Sequence, residues 1–318
     1  MNIEDYKTKL QKFYSNYSYL VSFAVLFIIA TAINPRFLTY TNLSTLLKQA
    51  AIIGIVALGM NLVIIAGMID LSVGSMVALT AGLGVLVLNH TGSIFLMLIF
   101  SMILGTFLGL FNGLLVTKGR IAAFIVTLAT MSAYRSIIVQ LGQGGPFSVA
   151  REKFDSFRII AAGETFLIPN LAIIFVLITA AITIVMNQTK FGRYVYAVGS
   201  NEHAAKLTGI NVDFIKTMTF VITGFLSGIS AFLLASRLTS ITAPNAGMGF
   251  ELDAIASVAI GGTAMSGGRG KIAGTFLGAI MLQMINNILV IANIPPFLEG
   301  LVKGIIIILA VLFQSKKK

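Results

Sequence analysis

The residues with chemistry to offer are few, and their spacing suits catalysis poorly. Glu251 and Asp253 form the kind of carboxylate pair that general acid–base work uses. They stand at i, i+2, which on a helix turns them to different sides, and neither His90 nor His203 lies near them. Capping or gating is therefore the better use for the pair. The chain has no cysteine, which excludes disulfides, thiolate metal sites and cysteine nucleophiles, and two distant histidines make no metal motif. Arg269-Gly270-Lys271 invites comparison with a phosphate-binding loop. The GxxxxGK[ST] pattern fails twice, because Met265 stands where the first glycine belongs and Ile272 follows the lysine. No catalytic or metal site is expected, and no cofactor.

Polar residues inside apolar sequence are the remaining candidates. Asp70 and Ser72 interrupt a hydrophobic stretch at Gly67–Gly74, where either can cap the helix that follows or mark a broken helix whose end faces a transport path. Arg135 falls inside an apolar run, where insertion scales charge about 2.5–3.5 kcal/mol for an arginine. It should face the bundle interior or a wet cavity, or reach the outer interface, with substrate contact as the functional option. Asn61, Asn112, Gln283, Asn286 and Asn287 can bind solute hydroxyls or join helices. Gln283 and Asn287, at i, i+4, share one helix face.

These residues must be positioned by membrane-spanning elements. Of 318 residues, 57% are hydrophobic and 10% charged, against about 25% charged in a soluble domain. Mean hydropathy is +0.95. Runs of roughly 20 apolar residues predict about ten spans, near 19–34, 50–68, 73–89, 94–116, 121–141, 167–187, 215–236, 251–265, 272–292 and 297–314. The chain thus reads as one all-α, polytopic membrane bundle over 1–318. The first run reads as a retained span rather than a cleaved signal, because its charged leader is long and everything after it is membrane. The eighth run is short and weak, fitting a half-helix or re-entrant piece. Its surroundings, 244–271, hold seven glycines, and backbone so irregular at membrane depth must be buried in protein or line a wet cavity.

The formal charge of +11 follows from topology. With the N-terminus inside, segments 1–18, 117–120, 188–214, 266–271 and 315–318 fall on the inner side. These hold more than twice as many Lys and Arg as the outer segments, whose basic residues are Arg36, Lys48, Arg151, Lys153, Arg158 and Arg237. Both termini are therefore expected in the cytoplasm, and no nucleic-acid partner is implied. One internal echo suggests an inverted repeat. Gly105-Thr-Phe-Leu-Gly109, with Asn112 and Val116 after it, recurs as Gly274-Thr-Phe-Leu-Gly278, with Asn286 and Val290 after it. The two copies fall in the fourth and ninth spans, an offset that reverses orientation. Asp70-Leu71 and Glu251-Leu252 open the third and eighth spans in the same register. The glycines, at GxxxG spacing, predict close helix packing.

The inner loop 188–214 holds a capped short helix. Ser200 or Asn201 can start it, Glu202 suits its first turn, and Gly209 can end it.

That loop, with Glu202-His-Ala204-Ala205-x3-Gly209, resembles the coupling segment of ABC-transporter permeases. GMIDLSVGS at 67–75, FIVTLATMSAYR at 124–135, TKFGRYVYAVGSNEHAAKLTGINV at 189–212 and GFELDAIASVAIGGTAMSGGRG at 249–270 are similar to the ribose-type sugar permeases, in the same order along nearly the whole chain. One departure is that Ala122-Ala123 stands where the family commonly has a proline pair. The resemblance implies a permease subunit in the bacterial cytoplasmic membrane, paired with a second permease copy around a central path. It further implies a separate ATPase subunit holding ATP and magnesium, and an extracytoplasmic binding protein delivering a monosaccharide. Glu202, Ala204, Ala205 and Gly209 would dock on the ATPase, and the segments at Asp70–Gly74 and Gly249–Gly262 would lie near the path. An ion-coupled secondary transporter is the rival reading. It is disfavoured because all 11 acidic residues fall in loops or near span ends.

Overall fold

The computed structural model describes residues 19–295 together with 298, 300–302, 304, 305 and 308. Apart from those few positions, the expected tenth span at 297–314 lies outside the described residues, as do segments 1–18 and 315–318. Twelve α-helices run through residues 19–295: α1 Tyr19–Ile33, α2 Tyr40–Ile65, α3 Val73–Thr91, α4 Ile94–Thr117, α5 Ala123–Leu141, α6 Phe154–Ala162, α7 Asn170–Gln188, α8 Lys190–Ser200, α9 Glu202–Leu207, α10 Val212–Leu238, α11 Phe250–Ile260 and α12 Ile272–Ile291. Seven of them (α2, α3, α4, α5, α7, α10 and α12) are long and apolar enough to cross a membrane. The chain is thus a mostly helical, multi-pass membrane protein.

Two departures from the expected spans have plain physical reasons. Helix α2 begins at Tyr40 rather than near residue 50. Its first turns carry Asn42, Ser44, Lys48 and Gln49, which break a hydropathy run without breaking a helix. The structure gives three of those side chains partners: Ser44 and Lys48 donate to Glu164, and Asn42 pairs with Asn287. Helix α11 has the half-helix length expected of the run at 251–265, and departs only in ending at Ile260, after 11 residues. At 1.5 Å per residue it is about 16 Å long, roughly half of a 30 Å hydrocarbon layer. The missing prolines before α5 change little, because Ala122 already adopts an extended conformation and the helix starts at Ala123.

Helix α2 is buried on all sides from Ala50 to Ile65, and α10 along most of its length, so these two form the axis of the bundle. Helices apolar all round belong in an interior. Helices α4, α5 and α7 turn most of their apolar surface outward. The glycine spacing in α4 beds that helix on α10: a Cβ on Gly105 or Gly109 would collide with the carbonyl oxygen of Gly224 or Phe220. The second copy of the echo uses a different surface, since Gly274 and Gly278 press on Gly261 and Ser257 at the end of α11. Helix pairing nevertheless recurs. Helix α3 packs on α4 and α10, and α4 on α10; likewise α11 packs on α12 and α2, and α12 on α2.

On the face opposite the 188–214 loop, strand β1 (Pro146–Ser148) pairs antiparallel with β4 (Ser240–Thr242), and β2 (Glu164–Thr165) forms a hairpin with β3 (Ile168–Pro169). This hairpin is tied to α2 through Glu164, which accepts hydrogen bonds from Tyr40, Ser44 and Lys48.

Candidate functional site

The two irregular segments singled out by sequence come together. Gly74, in the first turn of α3, lies against Gly247, just before α11: a Cβ on Gly74 would strike the Gly247 carbonyl and stand 2.6 Å from Oε2 of Glu251. Two helix N-termini therefore converge at one point. Gly247 and Gly249 both hold positive φ (64° and 79°), which lets the chain turn into α11 without a side chain in the way.

A one-directional hydrogen-bond relay fixes the first of these segments. The Tyr134 hydroxyl donates to Oδ1 of Asn112 at 3.1 Å, and Nδ2 of Asn112 donates to Oγ of Ser72 at 2.8 Å. The Ser72 hydroxyl and backbone N–H both donate to Oδ1 of Asp70, at 2.6 and 2.9 Å. Bonds aligned this way polarise one another in a water-poor interior. Asp70 is fully buried, and its Oδ2 has no hydrogen-bond partner among the described residues. Neither Asp70 nor Ser72 caps α3 through its side chain. Asp70 instead closes the turn before the helix, because its carboxylate reaches the N–H two residues on. Tyr134 lies in the FIVTLATMSAYR motif, but nothing in the sequence marks it as the partner of Asn112; only the fold brings the two together.

Arg135 binds the second segment. Its Nη1 donates to the carbonyl oxygens of Ala243 (2.9 Å) and Ala246 (2.6 Å), in the stretch between β4 and α11. The arginine is half-buried and faces the bundle, as one expectation had it. Its bonded partners are backbone, so it positions the segment rather than presenting a free guanidinium. Glu251 and Asp253 diverge as their spacing requires: Glu251 faces Gly74, and Asp253 is buried in a cavity shared with Gln283 and Asn286.

Asn61 holds the far end of α11. It accepts from Thr263 at 3.1 Å and donates weakly to the Lys271 carbonyl at 3.4 Å. Asn287 is taken up by a reciprocal amide pair with Asn42 (3.0 and 2.7 Å). Of the path candidates, Asn61, Asn287 and Arg135 thus join helices or loops, Asp70, Ser72 and Glu251 stand at the convergence, and Asp253 and Asn286 line the cavity.

The 188–214 loop folds into α8 and α9. Asn201 is the cap of α9, accepting from the Ala204 N–H at 2.9 Å, and Gly209 ends it in the left-handed region at φ 83°. Glu202 pairs with Lys216 at 2.6 Å. Ala204 is exposed, whereas Ala205 is 4% exposed and packs inward, so it supports the helix instead of presenting a surface. Leu207, absent from the expected set, is 76% exposed on the same helix. The loop leans on the turn that follows α11. Tyr196 donates to the Gly270 carbonyl at 3.0 Å, the Gly268 N–H donates to the Ile65 carbonyl at 2.9 Å, and Gly199 lies against that same carbonyl. A continuous packed route thus runs from α8 through 266–270 and α11 to Gly247.

This geometry accompanies broad similarity to known transport proteins. The family described as branched-chain amino acid transport system / permease component matches residues 42–311. The chain is 41% identical to the ribose import permease protein RbsC of Bacillus subtilis, over 92% of this chain and 90% of that protein. It is 37% identical to the RbsC of Haemophilus influenzae, over 93% and 91%. The L-arabinose transport system permease protein AraH of Escherichia coli is 34% identical, over 96% and 92%. No solved structure matches the chain. These relatives are transport subunits, not enzymes, in keeping with a sequence that offers no nucleophile–base pair. The chain belongs to the permease-component family that holds the ribose import permeases, the ribose-type permeases its four motifs resemble.

Proposed function

We propose that the chain is the transmembrane permease subunit of an ATP-driven ABC importer for a monosaccharide, a ribose-like pentose or a hexose. In this reading two copies form a dimeric path across the bacterial cytoplasmic membrane, with about ten spans each and both termini in the cytoplasm. A separate ATPase subunit binds ATP and magnesium, and an extracytoplasmic sugar-binding protein delivers the solute. The observation that carries the reading is the full-length similarity to ribose and L-arabinose permeases.

The packed route from α8 to α11 gives the reading a mechanism. A rigid-body push on α9, capped by Asn201 and braced by the Glu202–Lys216 pair, reaches the half-helix α11 through α8 and the 266–270 turn packed against it. Movement of α11 would then alter the Gly74–Gly247 contact, where two helix N-termini meet. The recurrent pairing of α3 and α4 with α10, and of α11 and α12 with α2, supports an inverted repeat whose halves rock about that contact.

The docking role is tested with Glu202→Ala and Gly209→Val. Each should reduce co-purification of the ATPase subunit, or its stimulation by sugar-loaded binding protein. Assembly and stimulation equal to wild type in both variants would sink it.

A further inference from the structure

A cavity of about 260 Å³ opens between α2, α10, α11 and α12. Its polar lining comprises Gln49, Arg237, Asp253, Gln283 and Asn286, and its apolar lining includes Leu234 and Phe250. These positions lie near the middle of α2, at the end of α10, at the start of α11 and just past the middle of α12. They run from mid-bundle toward the face opposite the 188–214 loop, the side from which an importer is filled.

Two features mark it as more than a packing defect. Gln283 is 3% exposed, yet its Nε2 has no hydrogen-bond partner among the described residues, and the same holds for Oδ1 of Asn286. An unpaired buried polar group costs about 1–3 kcal/mol. Here one donor and one acceptor, three residues apart on α12, stand unpaired beside the same space. Among the described residues the lining is also balanced: one cation, one anion and three amides, with Phe250, Leu234, Ile52 and Ile53 as apolar wall. A neutral polyol fits that set, because amides and charged groups bond its hydroxyls while its C–H face rests on apolar carbon. An ionic solute would leave one of the two charges opposed. At about 30 Å³ per water, the space equals roughly nine waters, which is the scale of one pentose or hexose.

We propose that this cavity is a binding site for one monosaccharide-sized neutral polyol, held within a single subunit between the middle of the bundle and its outer face. The proposal rests on the permease reading above for its cargo, and on Gln283 and Asn286 for its recognition.

The test uses the full chain in lipid nanodiscs, without ATPase or binding protein, and tritiated D-ribose in equilibrium dialysis with L-arabinose as competitor. Wild type should show saturable binding of one equivalent per chain. Gln283→Leu and Asn286→Leu should each weaken it about tenfold, the usual cost of one lost buried hydrogen bond. Ile53→Phe, which fills the cavity and leaves every amide in place, should abolish it. Phe166→Ser, on the exposed hairpin tip, should bind as wild type. Melting temperatures establish that each variant is folded, and Asn286→Ala replaces any that is not. Absence of saturable binding in wild type, or binding retained in all the cavity variants, overturns the site. Uptake by the assembled transporter separates the two readings. Ribose uptake without binding by the isolated chain overturns the site and leaves the permease reading standing. Binding without uptake of either sugar supports the site and removes ribose and L-arabinose as the transported cargo.

Discussion

Gly74 and Gly247 meet backbone to backbone, at the first turn of α3 and the approach to α11. No other residue type fits at Gly74, because the obstacle is a main-chain carbonyl that cannot rotate aside. Gly74→Val should cost about 1–3 kcal/mol or more, the range for overpacking a well-filled interior. A lower melting temperature in detergent, together with lost sugar uptake, is the expected result. Wild-type melting and uptake would mean that the two segments are not in contact in the working protein.

Arg135→Met removes the donor that Ala243 and Ala246 share. Two carbonyls are left unpaired, at about 1–3 kcal/mol each. Because Arg135 acts through the segment before α11, uptake should fall at least about tenfold while the ATPase subunit still co-purifies. Loss of assembly instead would assign the arginine a wider structural role.

The relay from Tyr134 to Asp70 predicts an order of severity. Tyr134→Phe removes one donor and should cost about 1–3 kcal/mol in thermal unfolding. Asn112→Leu breaks the relay in its middle, stranding both the Tyr134 hydroxyl and one side of Ser72, so it should cost more. Equal effects in the two variants would show that the bonds are not linked.

Asn201→Ala deletes the cap of a six-residue helix, worth about 1 kcal/mol. So short a helix depends on its caps more than the spans do. Stimulated ATP hydrolysis should drop while the melting temperature of the bundle is unchanged. A matched fall in both would place α9 in the folding core.

On the opposite face, Glu164 gathers hydrogen bonds from Tyr40, Lys48 and Ser44, which hold its carboxyl below the usual carboxylate range. A carboxylate depressed in the folded state adds stability above its unfolded pKa and loses it as pH falls through the folded value. Protection factors in the 164–169 hairpin, with the intrinsic pH dependence of exchange divided out, should therefore be flat from about pH 8 to 5 and fall only below about pH 4. Loss of protection near neutrality would contradict the ion pair as the tether.

Much of this protein is legible in its residues. Long apolar runs mark a multi-pass membrane protein, glycines at i, i+4 predict close packing of α4 on a neighbour, and Ser200 or Asn201 with Gly209 brackets α9. These are local facts, set by hydropathy, by the absence of a Cβ and by capping geometry within a few residues. The polar start of α2 was hidden for the opposite reason. Its side chains are satisfied by Glu164 and Asn287, more than a hundred residues away, and hydropathy cannot count distant partners. Only the tertiary structure decided what the inner polar residues do. It spends Asn61, Asn287 and Arg135 on joining segments, links Asp70 to Tyr134 through Ser72 and Asn112, and leaves Nε2 of Gln283 and Oδ1 of Asn286 beside a cavity with no partner among the described residues. Sequence shows that a membrane-buried polar group must find a partner; which partner it finds depends on packing between helices far apart in the chain.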